Sequence, residues 1–197
     1  MNRETFFETI HPLVDPSELI TISHAYWLAK QVHREQMRDN GERYFEHCRR
    51  IAVELAHLRS ATAQDITLAF LHDCIEDGFM PPGLLRALFG DEMARAVATI
   101  SKTTPVFDDH SLTVVSRRKK DITDYFSGIA AGPAFVRRVK CADRLDNLRT
   151  MRVWTDEEQY EYIAETRLYV LPLAHDIDVQ LACEIDEECR KYTGDIR

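Results

Sequence analysis

Six consecutive residues, His72-Asp73-Cys74-Ile75-Glu76-Asp77, set one imidazole and three carboxylates at the end of an apolar run. On a helix over residues 66–77, at about 100° per residue, His72, Asp73, Glu76 and Asp77 fall within one arc of roughly 140°. Phe70, Cys74, Leu71, Ile75 and Leu68 take the opposite arc, and the small Ala69 lies beneath the acidic side. Adjacent His72 and Asp73 can offer nitrogen and oxygen to one divalent metal, while Glu76 and Asp77, a turn later, can reach its water. The plainer reading is an amphipathic helix whose wet side is acidic, and the segment alone does not choose between the two.

A second group lies far along the chain. On a helix expected over residues 134–153, Asp143 is followed by Asn147 at i+4 and Thr150 at i+7, one stripe within about 40°. The functional reading makes Asp143 a metal ligand and Asn147 and Thr150 contacts to a bound molecule. The alternative is a surface stripe with Asp143 paired to a nearby Lys or Arg. His47 closes the segment Gly41-Glu42-Arg43-Tyr44-Phe45-Glu46-His47, after a loop that carries Arg38. A lone helical histidine is more often a hydrogen-bonded core or surface residue than a ligand.

The elements that must bring these groups together are helical. The chain has 197 residues, 45% of them hydrophobic and 29% charged, with seven Gly and seven Pro. That suits one all-α domain with a substantial core, a bundle of about eight to ten helices. Asp15-Pro16-Ser17-Glu18 reads as a helix start leading into residues 19–36, and Gly41 ends that helix. A loop over 38–44 leads to a helix reaching about 58. Thr62 with Asp65 resembles a capping box opening the central helix, which Gly78 and Pro81-Pro82 end. A short helix over 84–89 stops at Gly90, and Asp91 opens another over 92–101. Residues 104–111 read as a loop, followed by a basic helix near 112–126 and a loop over 128–133. After the helix at 134–153, another starts at Asp156, with Pro172 kinking or dividing it. A last helix covers about 179–192.

The net charge of −8 argues against a sequence-independent nucleic-acid binder, yet a local basic pocket would suffice for an anionic nucleotide. No segment approaches the roughly 18 apolar residues needed to cross a bilayer, and the N-terminus lacks a signal-peptide core. Five cysteines without a CxxC pair fit free thiols in a reducing cytosol, so a cytoplasmic location is expected. Arg117-Arg118-Lys119-Lys120 could line the approach of a polyphosphate, but reads more simply as a solvated helix face. Tyr169, Tyr160 and Trp154 read as packing residues, and Cys74 and Cys141 as small core residues.

Taken together, the segments HREQMRDNGERYFEH (33–47), AFLHDCIEDG (69–78), ISKT (100–103), VKCADRLDNLRTM (139–151) and ETRLYVLPLAH (165–175) resemble the HD-domain phosphohydrolases. Within that family the chain is similar to the hydrolase domain of the RelA/SpoT homologues, including the small stand-alone alarmone hydrolases of the animal SpoT-like type. The likeness covers about residues 19–180, so 1–197 is expected to be a single HD hydrolase domain. Residues 1–18 would be an N-terminal extension, and the chain ends before a synthetase domain could begin.

The resemblance implies that His47, His72, Asp73 and Asp143 ligate one metal, usually manganese, and that Glu76 and Asp77 orient or deprotonate the attacking water. It implies that Arg38 packs against a purine base and that Asn147 and Thr150 face the nucleoside. Lys102 and Arg149 match basic positions near the cleft. His175 matches a family segment but is assigned no catalytic role. The implied reaction is hydrolysis of the 3′-pyrophosphate of guanosine tetra- or pentaphosphate. Its partner is then a small nucleotide, with no nucleic acid or membrane, and self-association into a homo-oligomer stays open. Three departures bear on the substrate: Asp39 stands where lysine is usual, Arg43 where proline is common, and Asp146 where histidine is familiar. An adenosine alarmone, NADPH or a nucleoside monophosphate therefore remain alternatives, as does a non-catalytic alarmone-binding or antitoxin protein.

Overall fold

The computed structural model describes residues 2–108 and 114–193. Ten α-helices and one two-stranded hairpin occur among them. Helix α1 (Arg3–Ile10) leads through a 3-10 turn to α2 (Pro16–Val32), whose N-cap Asp15 and Glu18 form the expected box, with Asp15 N–H donating to Glu18 Oε2 at 2.9 Å. Phe6 and Ile10 of α1 are fully buried, and Phe6 packs edge-on against Phe70. Helix α3 (Tyr44–Ala56) buries Phe45, His47, Cys48, Ile51, Ala52 and Leu55, a spacing of three and four that turns His47 inward with the apolar stripe.

Helix α4 (Ala63–Leu71) is the centre of the bundle. It packs against α2, α3 and α7 (Ala134–Thr150), and every residue from Asp65 to Leu71 is buried. Its cap is the expected one: Thr62 N–H and Oγ1–H both donate to Asp65 Oδ2, at 2.8 and 2.6 Å. The same carboxylate takes a bidentate bond from Arg138 of α7, at 2.7 and 2.8 Å. One buried acid thus caps α4 and ties it to α7.

The helix expected over 66–77 is shorter than its pattern suggests. It ends at Leu71, and residues 72–78 form successive turns rather than a helical face. His72 Nδ1–H donates to the Ala69 carbonyl at 2.8 Å, capturing an acceptor that the next turn would use. Beyond it, Asp77 and Gly78 both donate their N–H to the Asp73 carbonyl. Gly78 fits there because a Cβ would lie 2.2 Å from Val32 Cγ1 and 2.6 Å from the Cys74 carbonyl oxygen. The acidic quartet is therefore displayed on a tight turn against α2.

Helix α5 (Pro82–Ile100) has its expected break at Gly90, where φ is +82°. The stretch after it overturns the loop and basic helix expected for residues 104–126. Strand β1 (Thr103–Phe107) pairs antiparallel with β2 (Val114–Lys119), Thr103 opposite Lys119 and Pro105 opposite Arg117. Residues 109–113, which the earlier loop and helix boundaries included, lie outside the described residues. The β-branched residues Thr103, Thr104, Val106, Val114 and Val115 favour the pleat over a helix. All of β2 is exposed. Lys120, just beyond it, is no solvated helix residue: its Nζ caps α5 by donating to the Ala98 and Thr99 carbonyls at 2.6 and 3.2 Å.

Helix α6 (Ile122–Ala130) follows, then α7, of which twelve residues are buried, including Arg138, Lys140, Asp143, Arg144 and Asp146. Helix α8 (Asp156–Glu165) passes into a π-helical turn, Thr166–Val170, before α9 (Leu171–Ile177). This is the interruption that Pro172 foretold. Helix α10 (Val179–Thr193) packs on α7 and α9. Among the described residues no helix is long and apolar enough to cross a membrane.

Removing the charge of Arg138 leaves Asp65 buried and short of a partner. Arg138→Met is expected to lower unfolding free energy by about 3 kcal/mol in urea titration, with part of the loss recovered by adding Asp65→Asn. A loss below about 1 kcal/mol would show that Thr62 alone satisfies the acid.

Candidate functional site

Three helices and one turn converge on a point. His47 comes from the buried face of α3, His72 and Asp73 from the turn that ends α4, and Asp143 from the middle of α7. His72 Nε2 lies 2.8 Å from Asp73 Oδ2 and 3.9 Å from Asp143 Oδ1. His47 Nε2 lies 3.4 Å from Asp143 Oδ1 and 3.9 Å from Asp73 Oδ2. Both imidazoles are almost fully buried, at 1% and 2% exposure. Donor atoms around a small divalent cation with bonds of about 2.1 Å are about 3.0 Å apart when cis in an octahedron, and about 4.2 Å when trans. The observed separations fall in that range.

The tautomers agree with such a use. His72 Nδ1 must carry hydrogen because its partner is a carbonyl oxygen. His47 Nδ1 must do likewise, because it lies 2.7 Å from the Asp146 carboxylate. In the neutral rings each Nε2 is then a lone pair facing the cluster. His72 Nε2 is buried and makes no aligned hydrogen bond, its close approach to Asp73 being that of an ion pair. Two nitrogens and two carboxylate oxygens with fixed outer partners suit one divalent cation.

The charge balance around the donors is set by packing. Burial would raise the Asp143 carboxyl, but Lys140 Nζ, 2.8 Å from Oδ2, holds it well below the usual carboxylate range. Its Oδ1 also accepts from Asn147 Nδ2 at 2.8 Å, so the i+4 stripe is real. Burial would likewise raise Asp73, yet the neighbouring His72 lowers it. For His72 itself, burial would lower the pKa, but Asp73, with Asp143 behind it, pushes it up to about 9. Asp146 is held at about 2, burial being outweighed by His47 and Arg50.

A cavity of ≈ 320 Å³ opens on this cluster and also takes in Glu76, Asp77, Arg38, Lys102 and Asn147. Burial, reinforced by Asp73, raises the carboxyls of Glu76 and Asp77. Glu76 Oε2 accepts the Lys102 backbone N–H at 2.6 Å, which aims it from the start of β1. Lys102 Nζ bridges both oxygens of Glu165, at 2.9 and 3.0 Å, and Arg144 reaches the same acid at 2.5 Å.

Arg38 sits on a tight loop, where its N–H donates to the Glu42 carbonyl at 2.8 Å and Gly41 takes φ of +81°. Its guanidinium donates to Asn147 Oδ1 at 2.6 Å, Thr150 Oγ1 at 3.2 Å and Asp146 Oδ2 at 3.3 Å. The three residues matched to substrate contact thus meet one another. Arg149 does not join them: it turns to Glu54 and Glu184, at 2.9 and 2.6 Å, and is absent from the cavity wall. Trp154, expected only to pack, lines the cavity and donates its indole N–H to Asp39 at 2.9 Å. Tyr169 does pack, stacked on Phe126 at 4.6 Å.

Residues that sequence reasoning passed over complete the site. The Tyr44 hydroxyl lies 2.6 Å from Asp73 Oδ2 and 2.8 Å from Asp77 Oδ2, donating its one proton between them. Burial, reinforced by the two carboxylates, raises its pKa far above the usual value, so it stays a donor. Behind it stacks His33, 4.8 Å away. The i, i+3 relation of Tyr44 to His47 was the available signal. Lys140 and Glu165 had none, since each acts across helices.

Comparison with known proteins follows this geometry. The family model for the HD domain matches residues 25–179. The chain is 29% identical over 178 residues to a guanosine-3′,5′-bis(diphosphate) 3′-pyrophosphohydrolase of Aquifex aeolicus, covering 90% of this chain and 24% of the relative. It is 32% identical over 185 residues to a GTP pyrophosphokinase of Myxococcus xanthus, covering 92% and 24%. The chain therefore spans about a quarter of the length of these curated relatives. A solved structure described as a metazoan ortholog of SpoT that hydrolyzes ppGpp superposes with a TM-score of 0.69 at 21% identity, over 87% of this chain and 94% of that one. At that identity the likeness is one of fold.

With His72 raised to about 9 by its acidic neighbours, a cation must displace a proton there at lower pH. Apparent affinity for a divalent cation is expected to climb with pH up to about 9, by as much as about tenfold per unit for one proton. Calorimetric titration in buffers of different ionisation enthalpy would show it, and a flat affinity from about pH 6 to 9 would contradict it.

Proposed function

Because this chain belongs to the HD-domain family, we propose that it hydrolyses the 3′-pyrophosphate of guanosine tetra- or pentaphosphate, releasing pyrophosphate and GDP or GTP. One manganese ion per chain serves the reaction, in the cytoplasm. The observation that carries the reading is the convergence of His47, His72, Asp73 and Asp143 on the wall of the cavity that also holds Glu76 and Asp77. The pyrophosphohydrolase name of the Aquifex relative supports it.

The four donors would hold the cation, which when bound activates water and offsets charge on the phosphoryl oxygens. Glu76 and Asp77 do the proton work. Their raised carboxyls, beside the cluster, suit acceptance of the proton that water loses as its oxygen attacks phosphorus. The bond from phosphorus to the ribose 3′ oxygen breaks, and that oxygen leaves with a proton. Arg38, already ordered by Asn147 and Thr150, presents a planar face for the purine. Lys102 contributes positive charge to the pocket wall, shared with Glu165.

One observation favours a second substrate. Asp39, held by Trp154, places a carboxylate at the rim, where an adjoining cavity of ≈ 410 Å³ adds Glu158 and Glu161. That acidic rim suits a nucleotide with less charge at its far end, such as a nucleoside monophosphate. An adenosine alarmone or NADPH belongs to the same class of alternatives. Incubating the protein and manganese with a panel of these nucleotides decides: pyrophosphate from guanosine tetraphosphate is expected. Orthophosphate from NADPH or a monophosphate, with guanosine tetraphosphate untouched, would overturn the first reading in favour of the second.

Replacing one group at a time separates the roles. His47→Ala should lose cation and turnover together. Glu76→Gln should keep the cation yet lose about 10²- to 10⁴-fold in kcat. An unchanged kcat with altered KM would show that Glu76 does no proton work, and a purely binding protein would leave both parameters without meaning.

A further inference from the structure

Asp143 and Asp146, one turn apart on α7, lie on either side of His47. Asp143 Oδ1 is 3.4 Å from Nε2, and Asp146 Oδ2 is 2.7 Å from Nδ1. Asp146 is itself held rigidly. Arg50, one turn beyond His47 on α3, grips it with Nε to Oδ1 at 2.5 Å and Nη2 to Oδ2 at 3.0 Å. Glu42 in turn holds Arg50 Nη1 at 2.5 Å. The same Asp146 oxygen lies 3.3 Å from Arg38 Nη1, and the Asp146 side chain is 7% exposed. One carboxylate therefore meets the donor ring, a structural clamp and the arginine expected at the base.

We propose that Asp146, clamped by Arg50, is a positioning residue that locks His47 in the Nδ1–H tautomer and ties the cation site to the placement of Arg38. A carboxylate can only accept, so His47 has no choice of tautomer while Asp146 stays ionised and fixed. Outer partners of this kind orient a ligating imidazole and raise its basicity. The inference rests on the metal centre proposed above and deepens it. It also gives a use to the position where this chain carries Asp in place of the familiar histidine.

Asp146→Asn keeps the shape and removes the constraint. The two Arg50 N–H groups draw the amide oxygen, the amide NH₂ then faces His47, and the ring turns to the Nε2–H form, which cannot ligate. The test is Mn²⁺ titration of metal-free protein, with free Mn²⁺ read by electron paramagnetic resonance. A nitrogen-15 spectrum of the His47 ring without metal, at a pH where it is neutral, is recorded alongside. Expected for D146N is about a tenfold or greater loss of Mn²⁺ affinity, with the ring proton moved from Nδ1 to Nε2. Arg50→Lys, which keeps charge but loses the two-point clamp, should fall between, and Asp146→Glu should recover part of the loss. Wild-type affinity and an unchanged ring tautomer in D146N would overturn the role of Asp146. Should D146N not fold, unchanged affinity in R50K would overturn it equally. A wild-type protein that takes up no Mn²⁺ would overturn the metal centre itself, and this role with it.

Discussion

Two carboxylates and two imidazoles buried within 4 Å of one another are unfavourable unless positive charge lies among or beside them. The surrounding fold answers that constraint. Lys140 neutralises one oxygen of Asp143, the Tyr44 hydroxyl donates to Asp73, and each imidazole has its outer nitrogen committed to an acceptor. What is left facing the centre is a set of four electron-pair donors. A divalent cation is the natural complement of such a set.

The same constraint explains the composition of α7. It is a core helix on which Arg138, Lys140 and Arg144 are all buried, each against one acid: Asp65, Asp143 and Glu165. These pairs link α7 to the start of α4 and the end of α8. The helix is therefore both the spine of the bundle and the donor of the site. Removing any one partner would leave a buried charge, which is far more unfavourable than losing a surface contact.

Around this centre, the groups expected to touch substrate are already ordered by one another. Arg38, Asn147 and Thr150 form one hydrogen-bonded set, reached from a loop that Gly41 can turn only with its positive φ. Such prior order lowers the entropy lost when a ligand binds. The rim is different in character. Asp39, Glu158 and Glu161 are exposed carboxylates, and the hairpin flanks the turn after Gly78, with Arg117 4.5 Å over the Phe79 ring.

Much of this was legible in residue types and spacing. The Thr62 cap, the break at Gly90, the interruption near Pro172 and the Asp143–Asn147 stripe are local signals, each decided within one turn of chain. The helix end at Leu71 was not, because it depends on His72 turning back to Ala69 and on Val32 crowding Gly78. Nor was the hairpin, whose basic strand reads equally well as a wet helix face. Arg149 looked equivalent to Lys102 in sequence, yet the helix twist carries it to the far side, against Glu54 and Glu184. Sequence by itself determined an all-α chain carrying an imidazole–carboxylate pair, a distant acid and a distant histidine. Only the tertiary structure decided that the last two reach the first, which nitrogen each ring presents, and which partner balances each charge. Those outcomes depend on distances between helices, and spacing along the chain specifies geometry only within a helix.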